Sequence, residues 1–506
     1  MKLSRRSLLQ LSAATIAAGA FSLPARAQAI DELVIAYNVN LPAWDPTVGP
    51  NATNPTIQAI YQSVFDLYIA QAPDLSQQPG ILTEWGWNED RTKLLMTVRD
   101  GVTWHDGTPL TAEDVAWSLR RSADPATGNP INFLWSTMQN IVAEGNKVTC
   151  DITSYDPTIF KWMSFLTGYV LPKHVFEAGG PEAFEAKPIG SGPYMVEKYE
   201  RNAFVQLKAY DGYWGEKPAF DRVTIKFVTD ATARVAEIES GASHVTIEVP
   251  YEEFDRLKTK LTGIANPVSD IGMIFLNDIE VMLDPNVRKA AVHAIDKQTI
   301  IDRLLSGYGV KIDTLQTPEY LAYDPTITVD YNPEKAVELL AASGYSVDNP
   351  VKFKIQTTKG FKPKDYEMVQ AIVGLWRKVG IEAEIEVYEI AKHYELRAAD
   401  TLAPAAFYNW GNSIGDPSTS TGHAMFGPTP HSVWDGEDLT AMIAPLWGEA
   451  DEEKRIAGWK AVDRFIADNA LVIPLLQFVQ PILSAPGVVV TPHSSGALLP
   501  ALMKRA

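Results

Sequence analysis

The chain has 506 residues, 46% hydrophobic, 10% aromatic and 21% charged, and its 62 acidic against 44 basic side chains give a net charge of −18. That length is expected to divide into two or three lobes. The acidic surplus excludes nucleic-acid binding, which needs a basic footprint, and fits a monomer.

The first 29 residues read as an export signal rather than as fold. Lys2, Arg5 and Arg6 precede the apolar run from Leu8 to Leu23, and Ala25-Arg26-Ala27, or the overlapping Ala27-Gln28-Ala29, supplies a small-x-small cleavage site. Arg5-Arg6 after a serine resembles a twin-arginine signal, the alternative being an ordinary secretory signal that carries two arginines. Four basic residues (Lys2, Arg5, Arg6, Arg26) and no acidic ones lie in this segment, so the remainder carries about −22. No cysteine follows the apolar run, so a lipoprotein attachment point is missing, and the expected location is the periplasm. Cys150 is the only cysteine, so the fold is expected to hold by core burial without an intramolecular disulfide. No later stretch reaches the ~18 apolar residues of a membrane span.

Beyond the signal, Leu33 to Tyr37 is a strand-length apolar run, and Ile57 to Tyr68 has helical spacing. Leu94 to Arg99 reads as a strand closed by Asp100-Gly101, and Val102-Thr103-Trp104 as its continuation. Thr111 is an N-cap, with Asp114 in the capping-box position of a helix to about Arg121. Met273 to Asn277 is an apolar strand ending in an amide. A helix is expected from near Pro285, and a second, capped by Asp296, through Leu305. Asn332-Pro333 starts another helix, which Gly344 ends. A βαβ-like unit follows, made of Val351 to Gln356, a helix from Tyr366 to Val379 stopped by Gly380, and a strand from Ile381 to Val387. Alternation in that last strand puts Ile381, Ala383, Ile385 and Val387 on its buried face. Glu449 to Asp468 is the last long helix, followed by a strand over Leu471 to Leu476.

One stretch carries the chemistry. Phe407 to Pro417 begins as an apolar strand and turns into Trp410-Gly411-Asn412-Ser413-Ile414-Gly415-Asp416. Glycines let backbone approach a ligand, and an aromatic ring beside amide and hydroxyl groups offers a stacking face with hydrogen bonds at its edge. The same residues spell G-x-S-x-G (Gly411, Ser413, Gly415), the nucleophile elbow of a serine hydrolase. That reading needs a helix directly after Ser413, and Asp416 to Gly422 has loop composition instead. His105-Asp106 is read as a satisfied turn pair. His244 has no assigned role, and His423 and His431, eight apart in a loop, lack a chelating spacing. No metal, cofactor or catalytic residue is called for, and no phosphate-binding loop is present.

Val98 to Leu119 (VRDGVTWHDGTPLTAEDVAWSL) resembles the signature of the family 5 extracellular solute-binding proteins, the dipeptide- and oligopeptide-binding class that serves ABC transporters. Gly190-Ser191-Gly192-Pro193-Tyr194, Tyr210 to Trp214 and Phe220 to Val223 continue the resemblance in order. It implies an α/β, two-lobed periplasmic binding protein (type II-like, cluster C) with an extra subdomain in the first lobe. Lobe I is expected at 30–269 with its insertion at about 60–188, lobe II at 270–480, and a return to lobe I at 481–506. The implied function is capture of a peptide or other small polar solute by hinge closure, and its delivery to an ABC permease in the inner membrane. A non-peptide ligand (oligosaccharide, opine-like compound or metal chelate) is the alternative within the class.

The residues expected at the site are Trp410 for stacking, Asn412 and Ser413 for polar contact, and Asn277 and Asn40 from other segments. Trp410 as core, and Asn40 and Asn277 as partners of turn backbone, are the structural alternatives. Peptide-binding relatives anchor the ligand's amine with an aspartate three residues after the loop tryptophan. Ser413 stands there in this chain, with Asp416 the nearby substitute. Arg397 falls in the segment where some relatives carry a carboxylate-binding arginine.

Overall fold

The computed structural model describes residues 30–49, 52, 54, 56–429 and 432–506. The expected export signal and His431 lie outside the described residues. Strand β1 (Glu32–Tyr37) buries Leu33, Ile35, Ala36 and Tyr37. Helix α1 (Gln58–Val64) ends four residues before the spacing predicts, because Phe65 is extended (φ −118°, ψ 142°). The cause is Gly190-Ser191-Gly192, which crosses the helix end at backbone distance. Gly192 N–H donates to Val64 O at 2.9 Å, and a Cβ on Gly190 would lie 1.9 Å from that oxygen. Gly190→Ala is therefore expected to destabilise the chain by about 1–3 kcal/mol through overpacking, read from urea unfolding. An unchanged midpoint would show slack at this crossing.

Strands β2 (Leu82–Trp87), β3 (Lys93–Val98), β4 (Met138–Glu144) and β5 (Lys147–Ile152) form a separate antiparallel sheet in the order β2-β3-β5-β4. Helix α2 (Ala112–Ala123) packs on it, and Val115, Ala116 and Leu119 join Met96, Trp104, Trp135 and Val148 in one core. Its capping box forms as the sequence predicts, with Thr111 N–H and hydroxyl each donating to Asp114 at 2.8 Å. Val102–Trp104 does not continue β3. It enters a turn, where Thr103 bridges Pro109, Leu110 N–H donates to Val102 O (2.9 Å) and Trp104 N–H to Thr108 O (2.8 Å). His105 is half-buried there between the nitrogen of Gly190 and the oxygen of Gly192, and desolvation brings its pKa down to about 4, so the turn-pair reading describes what it does.

Besides two two-stranded ribbons (Ala70–Gln71 with Gln77–Gln78, Val488–Val489 with Lys504–Arg505), the further strands are β6 (Tyr194–Glu200), β7 (Phe204–Ala209), β8 (Arg222–Phe227), β9 (Val245–Ile247), β10 (Thr262–Leu276), β11 (Gly309–Lys311), β12 (Val351–Thr357), β13 (Ile381–Val387), β14 (Ala405–Gly411) and β15 (Val472–Ser484), and these ten belong to the main sheet. With β1 they make one sheet in the order β13-β12-β14-β10-β15-β9-β1-β8-β7-β6, with β11 paired to β15. Helices α3 (Asp365–Val379), α4 (Ile390–Ala398) and α5 (Glu452–Asp468) flank the end that contains β12 to β14. β12, α3 and β13 form the predicted βαβ unit, with β12 and β13 parallel. Val387 is exposed rather than buried, because β13 is an edge strand and its last residue reaches the rim.

Two strands depart most from expectation. β10 begins 11 residues before Met273, and β15 runs eight residues past Leu476 with all 13 residues buried. They pair along nearly their whole length, so this pair spans both halves of the sheet. Each half has its own core. Leu33, Tyr61, Phe220 and Ile225 belong to one. Ile274, Ile355 and Trp376 on one face, and Met273, Phe275 and Trp459 on the other, belong to the second. These halves are the first and second lobes, and β10 and β15 carry the chain between them.

Candidate functional site

Strand direction locates the site. β9 and β10 both run antiparallel to β15, so β9, and with it the parallel strands β1 and β8, point their carboxyl ends toward the second lobe. β14 runs antiparallel to β10, so β14 and its parallel neighbours β12 and β13 point their carboxyl ends toward the first. Two sets of carboxyl ends face each other across the β10–β15 pair, and ligands of open α/β sheets bind outside such ends. The ladder between β10 and β15 breaks at this level. Pro267 pairs with Val479 and Ile271 with Gln477, leaving three residues of β10 against one of β15. Such a bulge bends a strand locally. Its freed backbone groups are served from outside the ladder: Ser269 N–H donates to Ser494 O (2.6 Å), and Ser269 O accepts from Asn412 N–H (2.7 Å).

The loop after β14 folds against this bulge. Asn412 is its internal brace. Its amide donates to Asp416 O (2.8 Å), and its oxygen accepts from Asp416 N–H (3.2 Å) and from the Thr419 hydroxyl (2.6 Å). The Tyr320 hydroxyl donates to Asn412 O. Ser413 is buried at the lobe junction, its carbonyl accepting from Gln71 of the first lobe at 2.7 Å and its hydroxyl 3.5 Å from that of Ser269. Ile414 packs with Phe165 and Leu166 of the first lobe. Asp416 is 0% exposed and fully engaged. Arg455 grips it bidentately at 2.6 and 2.8 Å, Lys161 of the first lobe reaches it at 2.9 Å, and the Ser418 N–H and hydroxyl complete its shell. Burial alone would raise its pKa, but the hydrogen bonds from Arg455 and the charge of Lys161 hold it well below the usual carboxylate range. Asp416 therefore serves the loop and the lobe contact rather than presenting a carboxylate to the cleft.

Trp410 is half-buried. Its indole N–H donates to Thr419 O (2.6 Å), and the Arg397 guanidinium lies over its ring at 4.1 Å, with Tyr408 and Phe275 also ringed around that cation at 5.1 and 5.5 Å. One stacking face of Trp410 is thus occupied by the protein's own arginine, and Arg397 is buried among rings rather than displayed. His393 stacks on Tyr408 (4.7 Å) and bridges Gln356 and Phe407 O, and burial brings its pKa down to about 4. Asn277 is buried at the far end of β10, donating to Ala403 O and Pro404 O, so it is not gathered with the loop. Asn40 is exposed on the loop after β1. His244 has a structural part: its Nδ1 accepts from Val34 N–H of β1 (2.9 Å) just before β9 begins.

The solvent-facing wall holds residues that no sequence pattern singled out. Asp270, paired in register with Gly411, forms an ion pair with Lys362 and accepts from the Asn409 amide at 3.1 Å. Lys362 follows β12 in a loop organised by Asp365. That carboxylate accepts from the Thr358 hydroxyl and from the N–H groups of Gly360, Phe361 and Lys362 at 2.7–3.2 Å. Burial opposes the charge on Lys362, but Asp270 outweighs it and raises the amine's pKa. Phe361 and Tyr394, 6.5 Å apart edge to face, expose their rings beside this pair. From the first lobe Asn38 donates to Glu248, and Lys364 reaches Glu252 across the junction at 3.7 Å. The wall can offer a bound molecule both signs of charge, amide donors and aromatic faces. Among the described residues, no group of three or more His, Cys, Asp or Glu is placed to hold a metal.

The model of the bacterial extracellular solute-binding proteins, family 5, matches residues 76–429 of this chain. The chain belongs to that family. Among curated members, the family 5 chain is 26% identical over 431 residues to the dipeptide-binding protein of Escherichia coli, covering 78% of this chain and 79% of that one. It is 25% identical over 433 residues to heme-binding protein A of Haemophilus influenzae, with 79% of each chain covered. In fold it is similar to HbpA2 from Haemophilus parasuis, at a TM-score of 0.83 and 21% identity, covering 94% of this chain and all of that one. The family 5 resemblance read from Val98 to Leu119, and the two-lobed α/β fold it implies, are both borne out.

Proposed function

We propose that the chain is the exported, monomeric receptor of an ABC importer, taking a peptide between its lobes and handing it to an inner-membrane permease. The observation that carries this reading is the opposition of two sets of carboxyl strand ends across a shared strand pair with a bulge at its waist. Bending there opens and closes the wall without breaking either core. The lobes are proposed at 30–269, with the insertion at about 60–188, and 270–480, with the tail from 481 returning to the first. The change of side at 269/270 falls within the bulge, and the small-sheet core draws on residues from Tyr68 to Ile189.

Family membership supports solute capture, and the name of the Escherichia coli relative supports a peptide. Micromolar affinity asks for only about −8 kcal/mol, which a few buried hydrogen bonds and one aromatic face can supply. A thermal-shift series with di- and tripeptides, an oligosaccharide, haem and a nickel–histidine chelate tests it. Peptides are expected to raise the melting temperature in a concentration-dependent way. A shift with one of the other ligands and none with peptides would replace the peptide reading while keeping the receptor.

Ser413 is proposed to have no catalytic part. Its loop is followed by a short 3₁₀ turn at Pro417–Thr419 and not by the long helix of a nucleophile elbow, and its hydroxyl faces Ser269. Ser413→Ala is expected to keep ligand binding within about threefold. Ester or peptide hydrolysis by the native chain, abolished in that variant, would establish an enzyme instead.

A further inference from the structure

We infer that Glu248 is the cation-selecting residue of the cleft, and that the ligand presents an ammonium or guanidinium group to it. This deepens the receptor reading and rests on it.

Ser413 supplies no charge at the junction, and Asp416 is closed off by Arg455 and Lys161. Asp270 is matched by Lys362. Glu248 is exposed, and among the described residues no cation forms an ion pair with it; the neutral amide of Asn38 donates to its carboxylate. Its negative charge nonetheless acts across the cleft, adding to the rise in the pKa of Lys362 on the opposite lobe. Asp270 and Lys362 pair with each other, while Glu248 keeps no ion-pair partner, although the buried Arg234 guanidinium lies behind it and acts on its charge.

The backbone supports the assignment. Glu248 directly follows β9 with φ +51°, in the left-handed region that disfavours a side chain with a Cβ. The conformation is over-determined. Glu248 N–H donates to Pro481 O of β15 (2.8 Å), and its carbonyl accepts from Arg234 (2.8 Å). Arg234 is itself buried and also donates to Ile247 O, Val228 O and Thr229 O at 2.8–3.1 Å, tying together the carboxyl ends of β8 and β9. A glycine would occupy that conformation without strain. What glutamate adds there is a carboxylate at the waist of the molecule, held on a rigid support. Strain held in place by its surroundings is characteristic of ligand clamps.

Lobe closure gives the charge its selectivity. A cationic group on the ligand would form charge-assisted hydrogen bonds with Glu248, with the Phe361 and Tyr394 rings available to its hydrocarbon part. A neutral ligand would leave the carboxylate desolvated and unpaired on closing, which is costly.

Calorimetric titration of the full chain with trialanine, N-acetyl-trialanine and 1,5-diaminopentane tests this, using native protein, Glu248→Gln and Glu248→Asp. Trialanine is expected to bind about tenfold to a hundredfold more tightly than its acetylated form. That gap should collapse in Glu248→Gln and persist in part in Glu248→Asp, with unchanged thermal unfolding confirming that both variants fold. Equal binding of the two peptides to native protein would overturn the inference and leave the peptide receptor standing. Binding of the diamine alone, lost in Glu248→Gln, would support the cation site and overturn the peptide. Tight binding of trialanine with an undiminished gap in Glu248→Gln would place the amine elsewhere. Binding of none of the three would overturn both readings.

Discussion

Arg455→Ala is expected to destabilise the folded chain by about 3–5 kcal/mol, because it leaves the Asp416 carboxylate buried with two of its five hydrogen bonds gone. Asp416 has no exposed surface, and Lys161 reaches only one of its oxygens. The hydrogen bonds from Arg455 are the largest of the effects that keep the group ionised, followed by the charge of Lys161. The sign with pH follows from the depressed pKa of Asp416. A carboxyl held below its unfolded value of ~4 contributes its full stabilisation above that value, and loses it as pH falls through the folded value. Native protein should therefore show an acid-induced loss below pH ~4 that is smaller in Arg455→Ala. The double variant Asp416→Asn with Arg455→Met should recover much of the loss, since removing both charges leaves no uncompensated ion. Urea unfolding of the three proteins checks this, and a cost below about 1 kcal/mol for Arg455→Ala would show that water already reaches the pair. The same ion cluster joins the loop after Trp410 to the first lobe through Lys161, so the single variant should also weaken ligand binding.

How much of this was legible in the sequence depended on how local the determining physics was. Thr111 and Asp114 lie three apart and settle their helix end by themselves, and Asn332, Pro333 and Gly380 act equally locally. Gly190 and Gly192 were visible as a motif, but their effect, ending α1 at Val64, acts across 126 residues of chain and leaves no trace in the spacing of 57–68. The loop around Trp410 was recognisable from its composition. Which of its groups remain available for a ligand was not, since that was decided by Arg455, Lys161 and Arg397, none of which lies within the loop. The wall residues Asp270, Lys362 and Glu248 are separated by 22 and 92 residues in sequence and come together only through strand register. Asp365 carried a weak signal, an acid at the start of a helix after a strand, which fits a capping role more readily than the shaping of a cleft loop.

Asp463→Asn is expected to stabilise the chain at pH 8 by up to about 4 kcal/mol and to change little at pH 4. Asp463 lies on α5 with 2% of its surface exposed, and burial pushes its carboxyl up to about 7, against the hydrogen bonds from Thr421 (3.0 Å) and Gln316 that favour the charge. The sign is opposite to that of Asp416. Between ~4 and 7 the folded chain binds a proton that the unfolded chain does not, so stability is full below ~4 and falls as pH rises through 7. Asp463 Oδ2 and Gln316 Oε1 are both buried without a hydrogen-bond partner, a pattern that a proton on the acid, or the amide of asparagine, would relieve. The effect is opposite in sign to that of the histidines and overlaps it in pH, so the difference between native protein and variant isolates it. His105, His393 and His493 are held neutral by burial to about 4, so their contribution is complete above ~6.5 and is lost as pH falls toward 4. The stability of native protein relative to the variant should fall from pH ~4 to ~7 and stay level above that, and thermal unfolding of both from pH 4 to 9 would show it. The same pH dependence in both proteins from pH 4 to 7 would mean that Asp463 ionises without cost. Gln316 also bonds Ser420, which the Asn412 amide contacts from the cleft loop, so this titrating acid stands directly behind the loop. Ligand affinity measured at pH 8 decides whether that support is passive: equal affinity in native and variant protein confines Asp463 to stability, and a tighter variant shows that the charge loosens the loop when it ionises.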